Sequence, residues 1–142
     1  MIITNATYEG ELLVMKRTEA RRKAFQALFQ LDSTELSVEE AIGHALEEEQ
    51  KSNAFLEQLV RGTTENLEAI DAALEQKLEK WTLSRLPKIE RTVLRLAVYE
   101  LLFEQETPNK VVLNEAIELC KTFGDEKSSK FVNGVLSKFT EQ

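Results

Sequence analysis

Hydrophobic and polar positions along this chain follow the period of an α-helix, since apolar residues return every three or four positions. Seven stretches show this pattern, and each predicts an amphipathic helix. The predicted helices span about 18–31, 37–49, 52–61, 64–80, 88–104, 108–123 and 129–139. Local signals agree with these ends, because Ser37 and Glu40 form a capping box and Thr107-Pro108 is a typical helix start. Gly62 is expected to end the third helix.

The fifth predicted helix differs from the others because it is apolar almost all round. Ten of its residues between Ile89 and Phe103 are apolar, which is too many for one face and predicts a central, buried helix. Pro87 disfavours helix at the residue before it, so residues 81–87 are expected to form a joint. The predicted fold class is therefore all-α. About seven helices form two packed helical subdomains, about 15–80 and 81–142, within one domain over 15–142.

The charge of the chain is unevenly distributed. The formal net charge is −7, which as an average argues against nucleic acid as a partner. Residues 32–80 hold four basic against thirteen acidic residues, whereas residues 81–142 hold nine of each. Residues 1–31 hold five basic against three acidic residues, and all five lie in 16–23. The chain is therefore acidic on average but has a basic patch near the start of the first helix.

The sequence offers no candidate active site, metal site or cofactor site. Cys120 and His44 are the only residues of their types, so neither a disulfide within the chain nor a structural zinc site is expected. No apolar run approaches the roughly 20 residues of a membrane span. Residues 1–14 lack the basic start of a secretory signal. They are interpreted either as a dispensable extension or as the product of an upstream start codon, with Met15 the natural first residue.

The basic patch is the first candidate binding site. It consists of Lys16, Arg17, Arg21 and Arg22, followed by Lys23. Arg17 and Arg21 are four residues apart and share a helix face, so both guanidinium groups could track one phosphodiester backbone. A solvated helix end explains the same residues equally well.

Two further constellations leave alternatives open. Lys127, Lys130 and Phe131 lie near the start of the last helix, where lysines and free amides suit phosphate and Phe131 could stack on a base. The spacing of Phe131 also fits a core stripe, which periodicity alone favours. Arg91 and Arg95, with Lys88 and Tyr99, share one side of the fifth helix and could face solvent, a salt-bridge network or a partner.

Three stretches together resemble the NusB transcription antitermination family of bacteria. They are 20–30, 89–101, and 112–119 followed by 130–136, in the same order and register as in that family. The run KFVNG after the NEAIEL helix is the most specific part. The resemblance implies an all-α fold and a non-enzymatic role in the bacterial cytoplasm. It also implies pairing with NusE, a small-subunit ribosomal protein, to bind boxA-type single-stranded RNA and help RNA polymerase read through terminators, notably in ribosomal RNA operons.

The resemblance also assigns candidate site residues by position. RNA binding is expected at the residues Lys16, Arg17, Arg21, Arg22, Lys127, Lys130 and Phe131. The protein-partner surface is expected to include Phe29, Glu90, Arg91 and Arg95. Thr18 and Glu19 interrupt a tract that is more continuously basic in the family. One alternative is a homo-oligomeric helical protein whose surfaces serve only self-association, and another is a stand-alone helical RNA-binding domain related to ribosomal RNA cytosine methyltransferases. A homodimer could also hide the RNA site until NusE binds.

Overall fold

Residues 15–140 of the chain are described by the structure, a computed structural model. Within them it has seven α-helices and no strand, which confirms the all-α prediction. The helices are α1 Arg17–Leu31, α2 Val38–Ala45, α3 Ala54–Glu65, α4 Leu67–Lys77, α5 Lys88–Tyr99, α6 Asn109–Phe123 and α7 Glu126–Thr140. A 3₁₀ turn, Leu83–Arg85, precedes α5, and a π-helical turn, Glu100–Glu104, continues it. The expected extension, residues 1–14, lies outside the described residues.

Helix α5 lies at the centre of the fold and contacts α1, α3, α4, α6 and α7. Its residues Val93, Leu94 and Val98 are fully buried, as its apolar sequence predicted. Around it, α1 packs against α2 and α3, while α6 packs against α7. One hydrophobic cluster includes residues of all seven helices. The division into subdomains at residues 80 and 81 stays a prediction.

Gly62 does not end helix α3, which continues to Glu65. The glycine instead allows a close approach of α5, because a Cβ atom at this position would lie 2.2 Å from Cζ of Tyr99. The Tyr99 side chain is itself buried. The prediction of a helix stop at Gly62 was therefore wrong, and the residue is required for packing rather than for chain reversal.

Two helix starts show how local hydrogen bonds set the element boundaries. The capping box of α2 is present, since the Ser37 side chain accepts from the Glu40 amide and the Glu40 side chain accepts from the Ser37 amide. Helix α7 begins three residues earlier than predicted, at Glu126. Asp125 explains the difference, because its Oδ1 atom accepts a hydrogen bond of 2.8 Å from the amide of Ser128.

None of the helices in residues 15–140 has the length and apolar character to cross a membrane.

Candidate nucleic-acid interface

Three of the predicted cationic side chains are exposed around the start of α1. Lys16 occupies the position before the helix, and Arg17 and Arg22 lie within its first two turns. The guanidinium carbon of Arg17 lies 4.2 Å from the centre of the Phe55 ring, a cation–π contact that orients the group. Arg22 is 44% exposed and is 3.1 Å from Glu19. The α1 start therefore displays positive charge to solvent, as the sequence predicted.

Arg21 lies in the same helix turn but is buried, with only 3% of its surface exposed. Its Nε and Nη2 atoms donate to the two carboxylate oxygens of Glu100, and Nη1 donates to Glu115 at 3.1 Å. Burial lowers the pKa of the Arg21 guanidinium, but the hydrogen bonds and charge of Glu100, and then those of Glu115, outweigh burial and hold that pKa above its ordinary value. The Arg21 guanidinium is therefore paired inside the protein and is not displayed to solvent, and its role in RNA binding stays a prediction.

Thr18 has a structural role that the family resemblance did not suggest. Its hydroxyl donates a 2.6 Å hydrogen bond to Oε1 of Glu115, the same oxygen that accepts from Arg21. The residue that interrupts the basic tract thus joins α1 to α6. Sequence reasoning missed this contact because the two partners lie 97 residues apart.

The start of α7 carries the second group of predicted site residues. Lys127 and Lys130 are exposed, and Nζ of Lys130 lies 3.7 Å from the exposed Glu126. Between them, the buried Ser128 donates a 2.8 Å hydrogen bond to Glu90. Phe131 packs against the hydrophobic core with part of its ring and lines a surface groove with the rest. The core interpretation and the surface interpretation of Phe131 therefore both hold in part.

Phe29 lines an aromatic depression of about 400 Å³ formed by α1, α2, α5 and α6. The Lys88 ammonium lies 4.0 Å from the centre of the Phe29 ring. Gln26 and Gln30 also line this depression, and the Oε1 atom of each is buried and has no hydrogen-bond partner among residues 15–140. A buried oxygen that lacks a hydrogen-bond donor is costly to the folded state. The remaining lining residues are Phe25, His44, Ala45, Ile89 and Phe123.

Arg91 and Arg95 form ion pairs within the chain. Arg95 donates two 2.9 Å hydrogen bonds to Asp71 and one of 3.0 Å to Asp32, and Arg91 also pairs with Asp32. Burial raises the pKa of the Asp32 carboxyl, but the hydrogen bonds from Arg91 and Arg95 outweigh burial and hold that pKa below its ordinary range. These ion pairs join the end of α1 to α4 and α5. This side of the fifth helix was expected to face solvent, a salt-bridge network or a partner, and the structure shows a salt-bridge network. The guanidinium groups of Arg91 and Arg95 are thus occupied within the chain, and their part in partner binding stays a prediction.

The metal-ligating side chains and the single cysteine are the remaining candidates for chemistry. Among residues 15–140, no three His, Cys, Asp or Glu side chains come together in a way that could hold a metal ion. Cys120 is fully buried in α6, and burial, together with the negative charges of Glu90 and Asp125, raises the pKa of its thiol to about 12. A thiol with so high a pKa is a poor nucleophile at neutral pH.

The fold and these surfaces define a small all-helical binding protein that displays basic and aromatic side chains around a buried central helix. The chain belongs to the NusB family, whose sequence model matches residues 18–141. It is 73% identical over 128 residues to the transcription antitermination protein NusB of Lysinibacillus sphaericus. The aligned region covers 90% of this chain and 99% of that protein.

Solved structures agree with this assignment. The crystal structure of antitermination factors NusB and NusE in complex with dsRNA matches with a TM-score of 0.78 and 34% identity, covering 87% of this chain and 94% of that chain. The NusB of T. maritima matches with a TM-score of 0.80 and 41% identity, covering 88% of this chain and 90% of that chain.

Proposed function

We propose that this protein is a transcription antitermination factor, a non-enzymatic adaptor that binds boxA-type single-stranded RNA together with NusE. In that role it promotes read-through by RNA polymerase, notably in ribosomal RNA operons, and acts in the bacterial cytoplasm. The observation that carries the proposal is the likeness, over 87% of this chain, to a NusB that forms a complex with NusE and dsRNA. The high identity to a named antitermination protein supports the same role.

The RNA surface of this proposal consists of the exposed cations at two helix starts. Lys16, Arg17 and Arg22 supply the α1 part, and Lys127 and Lys130 supply the α7 part. Such contacts neutralise phosphates and carry little sequence information. The whole chain has a net charge of −7, so the rest of the protein repels RNA. The affinity of the protein alone is therefore expected to be weak and to increase when a partner adds contacts.

The partner surface of this proposal is the aromatic depression at Phe29, together with Glu90. Ile89 lines the depression, and Glu90 follows it in the chain. Glu90 also accepts a hydrogen bond from Ser128, which is the neighbour of Lys127. A protein docked on the depression would therefore lie close to the α7 part of the RNA surface. This proximity explains how partner and RNA could bind cooperatively.

The proposal is tested by measuring the affinity of labelled boxA RNA and of a scrambled RNA, with and without NusE, over a range of salt concentrations. If about four phosphates are neutralised, log affinity falls against log salt with a slope of about −2.8. Arg22→Ala is expected to weaken binding to both RNAs, because it removes a phosphate contact.

Arg61→Ala is the matched control for this test. Arg61 is 42% exposed and pairs with Glu57 at 3.1 Å, so it resembles Arg22 in exposure and pairing but lies on α3. Affinity is expected to stay unchanged in this variant. A salt slope near zero, or equal weakening by Arg22→Ala and Arg61→Ala, would contradict the proposal.

A further inference from the structure

Trp81 is the only tryptophan of the chain and is 52% exposed, more than any other large apolar side chain in residues 15–140. It lies between the end of α4 and the 3₁₀ turn. A large aromatic side chain buries about 150–250 Å² when it is fully covered. About half of the Trp81 surface is instead in contact with solvent. Leu83 and Leu86, which follow in the chain, are buried in the core. Among the large apolar residues of 81–87, exposure is therefore particular to Trp81.

Trp81 and Phe131 line the same groove, whose volume is about 270 Å³. Gly134 lies one helical turn after Phe131 and lines the groove as well. A Cβ atom at Gly134 would meet nothing within 4 Å, so no packing contact requires a glycine there. Glycine within a helix costs about 0.5–1 kcal/mol relative to alanine. Its presence leaves the groove open at this position.

The rim of this groove is basic although the protein as a whole is acidic. Four lysines and one glutamate line it. Lys138 has a structural part, because its Nζ atom donates to the carbonyl of Lys77 at 3.1 Å and lies 3.2 Å from Glu79. Lys80, the neighbour of Trp81, is exposed, as is Lys130. Aromatic faces flanked by lysines are the arrangement by which proteins bind single-stranded nucleic acid.

We propose that the groove between Trp81 and Phe131 binds an unpaired base of single-stranded RNA, stacked on the indole, with Lys80 and Lys130 at the adjoining phosphates. The inference rests on the proposed RNA-binding function and extends the RNA path from the α7 start to the end of α4. The groove is slightly smaller than the roughly 300 Å³ at which ligand pockets begin, which suits one flat base with its backbone outside. The basic rim favours an anionic chain over an apolar protein segment.

Trp81 provides its own readout, since it is the only tryptophan in the chain. The full chain is mixed with NusE, and single-stranded boxA RNA is then added. Affinity is followed by anisotropy of labelled RNA, and stacking by the RNA-dependent change in tryptophan emission. Trp81→Phe, measured under the same conditions, supplies the background emission of NusE. We expect RNA to quench the emission of Trp81.

Three variants separate stacking from general effects. Trp81→Leu is expected to weaken RNA binding about tenfold, because stacking on an aromatic ring is lost, while Trp81→Phe keeps most of the affinity. Gly134→Gln keeps the indole, fills the groove and is expected to weaken binding to a similar degree. Phe103→Leu is the matched control, since Phe103 is also exposed, at 40%, but does not line the groove. Thermal melts verify that each variant is folded.

The outcomes distinguish this inference from the proposed function. Tight RNA binding with unchanged Trp81 emission and unchanged affinity in Trp81→Leu would overturn the stacking site and leave the proposed function intact. No RNA binding in the presence of NusE would overturn both. A change in Trp81 emission on addition of NusE alone, or on raising the protein concentration, with none from RNA, would assign the groove to a protein and overturn the inference.

Discussion

The guanidinium of Arg21 donates two hydrogen bonds to the carboxylate of Glu100, from Nε at 2.9 Å and from Nη2 at 2.7 Å. The two side chains are 3% and 2% exposed, and they are separated by 79 residues in the chain. Glu100 is the first residue of the π-helical turn that continues α5. Because Arg21 also donates to Glu115 on α6, one buried cation joins α1, α5 and α6.

Removing one side of this pair is expected to destabilise the protein strongly. Glu100→Ala leaves the Arg21 guanidinium buried with Glu115 as its remaining partner, and breaking a buried pair costs about 3–5 kcal/mol. The double variant Arg21→Met, Glu100→Leu removes both charges and is expected to recover a large part of that loss. The free energy of unfolding, measured by urea denaturation, tests both statements. A double variant less stable than Glu100→Ala would show that the pair itself stabilises the fold.

Arg22→Ala provides the comparison for Arg21→Ala. Arg22 is exposed and pairs with Glu19 on the surface, so its loss is expected to cost less than about 1 kcal/mol. Arg21→Ala is expected to cost several times more, since Glu100 is then buried without its partner. If both variants lower RNA affinity equally at full stability, the structural role assigned to Arg21 is wrong.

The helices could be predicted because their information is local. Apolar spacing revealed all seven, and the Ser37–Glu40 box marked one start correctly. The role of Arg21 could not be predicted in the same way, because its acidic partners are 79 and 94 residues distant. A helical pattern shows which residues share a face, but it does not show what that face packs against.

In the candidate site as well, features set by local sequence could be predicted and features set by tertiary packing could not. Lys16, Arg17 and Arg22 are exposed as the charge pattern indicated. The sequence analysis did not identify Trp81 as a surface residue, because a tryptophan within the joint 81–87 belongs to no periodic pattern. The groove that it shares with Phe131 depends on the packing of α7 against α4. Only the assembled fold contains that information.

Gly62→Ala is expected to destabilise the protein although alanine is the better helix former. The added Cβ atom would lie 2.2 Å from Tyr99, a buried side chain with little room to move. Overpacking of this kind costs about 1–3 kcal/mol. Gly43→Ala, in α2, is the matched control, because its Cβ atom meets nothing within 4 Å, and it is expected to stabilise by about 0.4–1 kcal/mol. Equal shifts in the denaturation midpoint would contradict the close packing of Gly62 on Tyr99.

The Asp32 pairs with Arg91 and Arg95 are expected to make stability depend on acid pH. The pKa of Asp32 in the folded protein lies below its ordinary value of 3.8, so its contribution is complete above that value. The contribution is lost as the pH falls from 3.8 through the lower pKa of the folded state.

Asp32→Asn is the variant that isolates this effect. At neutral pH it is expected to be less stable than the wild type by about 2 kcal/mol, the value of a charged hydrogen bond. This difference should narrow as the pH falls below 3.8. Urea denaturation of both proteins across that range measures it. Glu40 and Asp125 also have lowered pKa values, but they are present in both proteins and cancel in the comparison. A difference that stays constant with pH would contradict the linkage.

Cys120 is expected to react with an alkylating reagent only when the protein opens. Its side chain has no exposed surface, and its pKa is raised to about 12 by burial and by the charges of Glu90 and Asp125. In an opened molecule the thiol would regain a pKa of about 8.5. The labelling rate should therefore rise with pH and level off above about pH 9, and it should increase with urea. Mass spectrometry reports this residue alone, because the chain has one cysteine. A rate that keeps rising well above pH 9, or fast labelling without urea, would mean that the folded protein exposes the thiol.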